Sequence, residues 1–583
     1  MRMVDKYNML FHKYNFSGSH NDNIVNAVVR DSLKKFAAKC SNPAIWCHGE
    51  HTRMLMRDYV FEMKQVKYII DKDYNNIGEC GYHVIGSNRI KDCGIDGIII
   101  STYRYREEIK NKIKQECPDI AYIDIYEELE KRGIALDREY YLRNGASHYI
   151  KINQLKRECH KKDSDVEKLY LDIINEYINM MDFQSAIVCA QNLQKINNIS
   201  LYQELRQDLE EIYQMELAEI AKISQSNVLM FCIDGLRRQD VLGNCMPNLK
   251  KYLMEHTRFY ANAYSVSTST FESLIPTYSE NNDMRTKYYE TNIVDEKDCR
   301  FITEAIKQGR NIYFYTDAQK YIESDNIKVS NAHQMATEKI WNFIVDAAEE
   351  ENGLFYIHVL FESHFAFQNP DTEAELVVDG TGIMQDYLER KGGKIRADYV
   401  QQHTDAMKYL DRVLSPFLER ISCRLVLYAD HGNILIPLGT PLGAIETIKF
   451  TCSEEGTQIP LAIKSPEMMN GVSNDLMSIM SLNEIICSLL NKRRFVEPKN
   501  EFIKIQRSAT YNPESRFLLE KVGKEQELKA FEAFVFKNGY KLVVYEDGFV
   551  RLWNQKEEPI IDMSEQNKLL AKVKPYITVT DCM

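Results

Sequence analysis

Three apolar runs in this chain end on residues that can hold charge. Val228 to Ile233 leads into Asp234, "LFYIHVLFESH" ends on Glu362, Ser363 and His364, and "RLVLYADHGN" ends on Asp430 and His431. Strands this apolar are buried on both faces, where an unpaired aspartate beside a histidine costs several kcal/mol. Parallel strands put their carboxyl ends on one edge, and ligands collect there. If the three strands are neighbours, two carboxylates and an imidazole meet. That donor set suits one divalent metal: Mn, Zn or Mg, with Ca a poorer match. Such an ion polarises a phosphoryl or sulfuryl oxygen and lowers the pKa of a bound hydroxyl.

A nucleophile for that chemistry stands in "AYSVSTSTFESLIPTYSE", where Ser267, Thr268, Ser269 and Thr270 precede a helix-like run. A hydroxyl at a helix N-terminus faces the positive end of the dipole. The alternative is that the four hydroxyls only cap that helix. Arg237 and Arg238 follow the first strand and either hold an anionic substrate or open a solvated helix. His358, inside "FYIHVLF", reads as a satisfied core histidine rather than a ligand, and His403, in "QQHTDAMKYLD", could reach the site but reads as a surface residue. Glu362 is open between a partner of the site and a solvent-facing strand end. His48 and His51 in "CHGEHTR" lack further ligands and read as a βα loop.

Positioning these residues takes an α/β fold with a central, mostly parallel sheet. A chain of 583 residues exceeds one core. Residues 1–150 alternate strands and helices, in "PAIWCHGEHTRMLMRDY", "VKYIIDKD", "GIDGIIISTYRYREEIKNKIKQ" and "IAYIDIYEELEKRGI", which predicts a small Rossmann-like domain. It loosely resembles modules of bacterial sugar and polysaccharide biosynthesis. Residues 151–225 have apolar spacing of three and four with a break near Met181-Asp182-Phe183, a helical hairpin of tetratricopeptide kind acting as a spacer or interaction surface. Residues 226–500 form the large α/β domain, and 501–583 form antiparallel hairpins turning at Asn538-Gly539 and Asp547-Gly548.

The order of the pieces resembles the alkaline-phosphatase superfamily in its sulfatase-like branch. A strand ending in "IDGLR", a hydroxyl run opening a helix, then "SHFAF", "DHG" and "IPLAIKSP" follow that branch over roughly 226–500, and 501–583 fits its small C-terminal subdomain. "STSTFES" looks like the "GTSTAYS" run of phosphoethanolamine transferases, and "ESHFAF" like their "SNHFPF" segments. The resemblance implies that Asp234, Asp430, His431 and Thr270 bind the metal and that Thr270 is the nucleophile. An alignment to lipoteichoic-acid synthases shifts by two and makes Thr268 the alternative. It also implies that His364 contacts the substrate and that Lys449 lies on the bound anion. Two departures stand out: "TFESL" lacks the Cys or Ser of the formylglycine run of true sulfatases, and no histidine occurs between Asn433 and Pro460 to complete a second metal site.

The expected function is metal-dependent cleavage or transfer of a substituted phosphate ester, of phosphoethanolamine or phosphoglycerol type, in surface-glycan biosynthesis. A phosphate-ester donor and a glycan or nucleotide-sugar acceptor would be its partners. The alternatives are a phosphodiesterase or sulfatase-type hydrolase, or a degenerate binding scaffold. A net charge of -12 argues against nucleic-acid binding. The N-terminus lacks a signal-peptide pattern, no apolar run spans a membrane, and 14 cysteines are scattered without a CxxC pair. A cytoplasmic protein is the expectation.

Overall fold

A computed structural model describes residues 3–579 apart from 15, 17–21, 50, 53–54, 57–58, 60–62, 73–81, 103–104, 132–145, 163, 317–320, 330–334, 365–366, 374–393, 434–451, 510–519 and 521–524. It divides into two units, Tyr7–Ser147 on one hand and Met1–Lys6 with His148–Met583 on the other.

In the first unit, β1 (Pro43–Trp46), β2 (Tyr68–Ile70), β3 (His83–Ile85), β4 (Gly97–Ile100) and β5 (Ala121–Asp124) form a parallel sheet in the order β3-β2-β1-β4-β5. Successive residues of a strand face opposite sides. Ile45, Ile69 and Ile99 join Val28, Leu33 and Phe36 of α1 (Asp22–Ala37) in one core layer. Ala44, Ile70, Ile98 and Ile100 join Ile109 and Ile113 of α2 (Arg106–Glu116) in the other. Sequence periodicity misses β3, since three residues at a sheet edge make no apolar run. His51 is helical rather than in a loop, is buried against the Tyr126 hydroxyl at 3.2 Å, and burial lowers its pKa to about 3, so it is neutral.

From His148 the second unit runs through four helices, α3 (Ala146–Cys159, its first two residues in the first unit), α4 (Val166–Asn179), α5 (Phe183–Ile196) and α6 (Ser200–Lys222). Asp165 and Asp182 cap α4 and α5 by accepting from the Lys168 and Ser185 amides, and Met181, at φ 60°, makes the tight turn between them. These helices are not a spacer. They belong to the same unit as the large sheet, and Tyr149, Asn153 and Lys156 of α3 bond to Glu362, the Asn369 carbonyl and the Pro370 carbonyl.

The large sheet comprises β6 (Val228–Ile233), β7 (Arg258–Tyr264), β8 (Ile312–Tyr315), β9 (Ile327–Val329), β10 (Leu354–Val359), β11 (Arg424–Tyr428), β12 (Gln458–Lys464) and β13 (Gly471–Ser473), with Met477–Ser478 also paired to β7. Its order is β9-β8-β10-β6-β11-β12-β7-β13. The first five run parallel, and β12 is antiparallel to both its neighbours. Every residue of β6, β10 and β11 is buried, as their apolar composition requires. Three helices matter to the site: α7 (Thr270–Ser279), α8 (Ala336–Glu349) and α9 (Lys394–Arg420). The chain closes with the antiparallel sheet β14 (Phe502–Arg507), β15 (Phe531–Phe536), β16 (Lys541–Tyr545) and β17 (Val550–Trp553). Gly539 and Gly548, both at φ 79°, form its two turns where the Asn-Gly and Asp-Gly pairs predict them. β14 is tied to the loop before α7 through the Gln506 amide and the Val266 carbonyl, 2.8 Å apart.

Candidate metal and nucleophile site

Strands β10, β6 and β11 are neighbours, so the three polar strand ends meet. Asp234 follows β6 and is fully buried. Asp430 follows β11, and its Oδ1 accepts from the Gly235 amide at 3.1 Å and the His431 amide at 2.9 Å. His431 Nδ1 lies 2.8 Å from the Gly432 carbonyl. A carbonyl only accepts, so Nδ1 carries a proton and the ring is held with Nε2 turned into the cluster. That Nε2 lies 3.3 Å from Thr270 Oγ1, 3.5 Å from Asp234 Oδ1 and 3.6 Å from Asp430 Oδ2. The Thr270 hydroxyl donates to Asp234 Oδ2 at 3.1 Å.

Thr270, rather than Thr268, is therefore the hydroxyl that stands between the carboxylate and the imidazole. The capping alternative also fails. Ser269 occupies the N-cap position of α7 without a side-chain cap bond. Ser267 and Ser269 donate instead to Glu272 Oε2, at 2.8 and 3.3 Å, while Glu272 Oε1 accepts from the Ser508 amide at 3.0 Å. Glu272 thus ties the hydroxyl run to the end of β14.

Asp234 Oδ1 and Asp430 Oδ2 are buried and receive no hydrogen bond. Buried carboxylate oxygens without a donor are rare and costly. Here they converge with His431 Nε2 and Thr270 Oγ1, each of which can ligate a cation. A divalent metal fits that donor set of two carboxylates, one imidazole and one hydroxyl.

His364 stands beside this cluster. Ligand-capable atoms of Asp234, His364 and His431 lie within 4.8 Å of one another, and the rings of His364 and His431 are 6.2 Å apart. His358 is the residue that sequence reasoning misses. It is buried in β10 with Nε2 3.2 Å from Asp234 Oδ2, and it forms a second close group with Asp234 and Asp430. The signal that could find it is its place next to last in a strand adjoining β6, inside the strand rather than beyond its end. Burial alone would raise the Asp234 pKa, but His364, His358 and His431 more than offset it and hold the carboxyl well below its usual range. Burial would lower His431, and Asp430 and Asp234 raise it above its ordinary value.

Other expected site residues lie elsewhere. Arg237 does not reach the cluster: it is buried, bonds Asp240 through Nε at 2.8 Å and meets Glu455 at 3.4 Å. It buttresses the Asp234 loop rather than waiting for an anion. His403 is buried instead of exposed, 3.4 Å from Asp240 and packed edge-on to Phe367. Arg238 Nη1 bonds Gln458 Oε1 at 3.2 Å. Glu362 is a buried partner of the site loop, accepting from the Tyr149 hydroxyl and, at 2.9 Å, from the Ala336 amide opening α8. Lys449 lies outside the described residues.

No family model matches the chain, and no curated protein does. It is similar to several solved structures. A 2-O GAG sulfatase aligns over 60% of this chain and 91% of its own, at 10% identity and a TM-score of 0.43. The phosphonate monoester hydrolase of Agrobacterium radiobacter aligns over 61% and 95%, at 11% identity and 0.42. The lipoteichoic acid synthase LtaP from Listeria monocytogenes aligns over 62% and 97%, at 12% identity and 0.40. At these scores the likenesses carry no residue role and no substrate to this chain.

Proposed function

We propose that this protein is a metal-dependent enzyme that cleaves or transfers a substituted phosphate ester through Thr270. One observation carries the reading: Thr270 Oγ1 stands 3.1 Å from Asp234 and 3.3 Å from His431, beside two buried carboxylate oxygens that lack donors. Asp234, Asp430, His431 and Thr270 would hold the ion, which supplies positive charge to acidify a neighbouring hydroxyl and offset charge on a phosphoryl oxygen. Thr270 Oγ1 forms a bond to phosphorus as the P–O bond to the leaving group breaks, giving a phosphothreonine ester. Its proton passes to water. His364, at the rim of the cluster, contacts the phosphoryl oxygens or gives a proton to the leaving oxygen. A sugar hydroxyl or water then attacks phosphorus and frees Thr270.

The donor is of phosphoethanolamine or phosphoglycerol type and the acceptor a glycan or nucleotide-linked sugar, consistent with the motif order and the Rossmann-like first unit. No helix among the described residues is long and apolar enough to cross a membrane. The described cysteines are free thiols, which favours a reducing compartment.

The test is turnover of bis-p-nitrophenyl phosphate by purified protein with and without added Mn. Metal-dependent turnover that disappears in Thr270→Ala supports the reading. A protein that binds no metal and turns over nothing contradicts it and favours a scaffold.

A further inference from the structure

Asn433, the residue after Asp430-His431-Gly432, joins all three strand ends. Its Nδ2 lies 2.8 Å from the Gly235 carbonyl and 2.9 Å from the Ser363 carbonyl. Both partners only accept, so the amide nitrogen faces them and both its protons are used. Gly235 follows Asp234 and Ser363 precedes His364, so one side chain on the β11 loop holds the β6 and β10 loops by their backbones. The reverse bond exists too, from the Gly235 amide to Asp430 Oδ1 at 3.1 Å. Regular pairing between β6 and β10 has ended by then, its last bond running from the Asp234 amide to the Val359 carbonyl at 2.9 Å. Gly235 is fitted to this contact. It adopts φ +65°, and a Cβ there would lie 2.1 Å from Asn433 Nδ2.

We infer that Asn433 is a positioning residue that sets the spacing of Asp234, His364 and the Asp430-His431 pair, and so tunes metal affinity without touching the metal. The inference rests on the metal reading given above. Asn433 does this with two donors on one nitrogen, a chemistry that no isosteric acid reproduces. Asn433→Asp keeps the shape but turns an oxygen toward each carbonyl, whereas Asn433→Ala removes the group altogether.

The experiment titrates MnCl2 into the full-length protein and both variants by calorimetry, with circular dichroism recording the fold. Wild type is expected to bind one Mn. Both variants should bind it about 10–100-fold more weakly, the range seen when the outer hydrogen bonds of a metal site are removed. Asn433→Asp should be no better than Asn433→Ala. Asn433→Asp binding within about threefold of wild type would overturn the inference, because packing alone would then suffice. If either variant loses its native spectrum, Asn433→Ser replaces it: with one donor it should bind Mn less tightly than wild type, and equal affinity overturns the inference. Absence of Mn binding by wild type overturns the metal reading itself.

Discussion

His431 Nδ1 donates to the Gly432 carbonyl, and the ring so held turns Nε2 toward Thr270 and the two carboxylates. With that nitrogen, two bare carboxylate oxygens and the Thr270 hydroxyl gathered together, roles divide by position. Thr270→Ala should lose about a thousandfold or more of turnover, as removal of a nucleophile does. Thr268→Ala should stay within about threefold; equal losses in steady-state kinetics would contradict the assignment. His358→Ala should weaken Mn binding about 10–100-fold by freeing Asp234 to turn, as read by calorimetry. Asp234, Asp430 and His431 are legible in sequence because charged residues at the end of a fully apolar strand are buried with it and must find a partner there. His358 is not, since a histidine within such a strand looks the same whether it faces a core or a carboxylate. Arg237 is misread for a related reason: sequence shows its charge but not that Asp240, one helical turn away, claims it first.

The helix α7 depends on a tie that crosses between elements. Glu272, in its first turn, accepts from Ser267, Ser269 and Ser508, so the C-terminal sheet fixes the loop that carries Thr270. Glu272→Ala should lower kcat about 10–100-fold while Mn affinity changes little, because Asp234 and Asp430 lie on other loops. Unchanged kcat would mean that the loop holds itself. The strands and the two hairpin turns of the C-terminal sheet are readable from apolar runs and Asn-Gly or Asp-Gly pairs. What α3 to α6 pack against is not. Their periodicity shows an apolar face, and only the structure shows that α3 supports the His364 loop through Tyr149, Asn153 and Lys156.

Two consequences belong to the whole molecule. Glu216 of α6 is buried, and burial, with Asp182 nearby, pushes its pKa up to about 8. In the unfolded chain the value is about 4.3. Between the two, the folded protein holds a proton that the unfolded one has lost, so this group's contribution to stability falls as pH rises from about 4 to about 8. Glu216→Gln should flatten that slope and raise the melting temperature at pH 8; a slope unchanged from wild type would contradict the assignment. Metal should stabilise the fold as well, since it would hold together the buried carboxyl groups of Asp234 and Asp430. At a hundredfold excess over Kd the gain is about 2.7 kcal/mol, visible as a higher melting temperature in Mn than in EDTA. The most direct test of the account is the Mn stoichiometry of the purified full-length protein beside that of Asp430→Asn. One equivalent per chain in wild type, lost in the variant, is the predicted result. No Mn in wild type, or the same binding in Asp430→Asn, would contradict it.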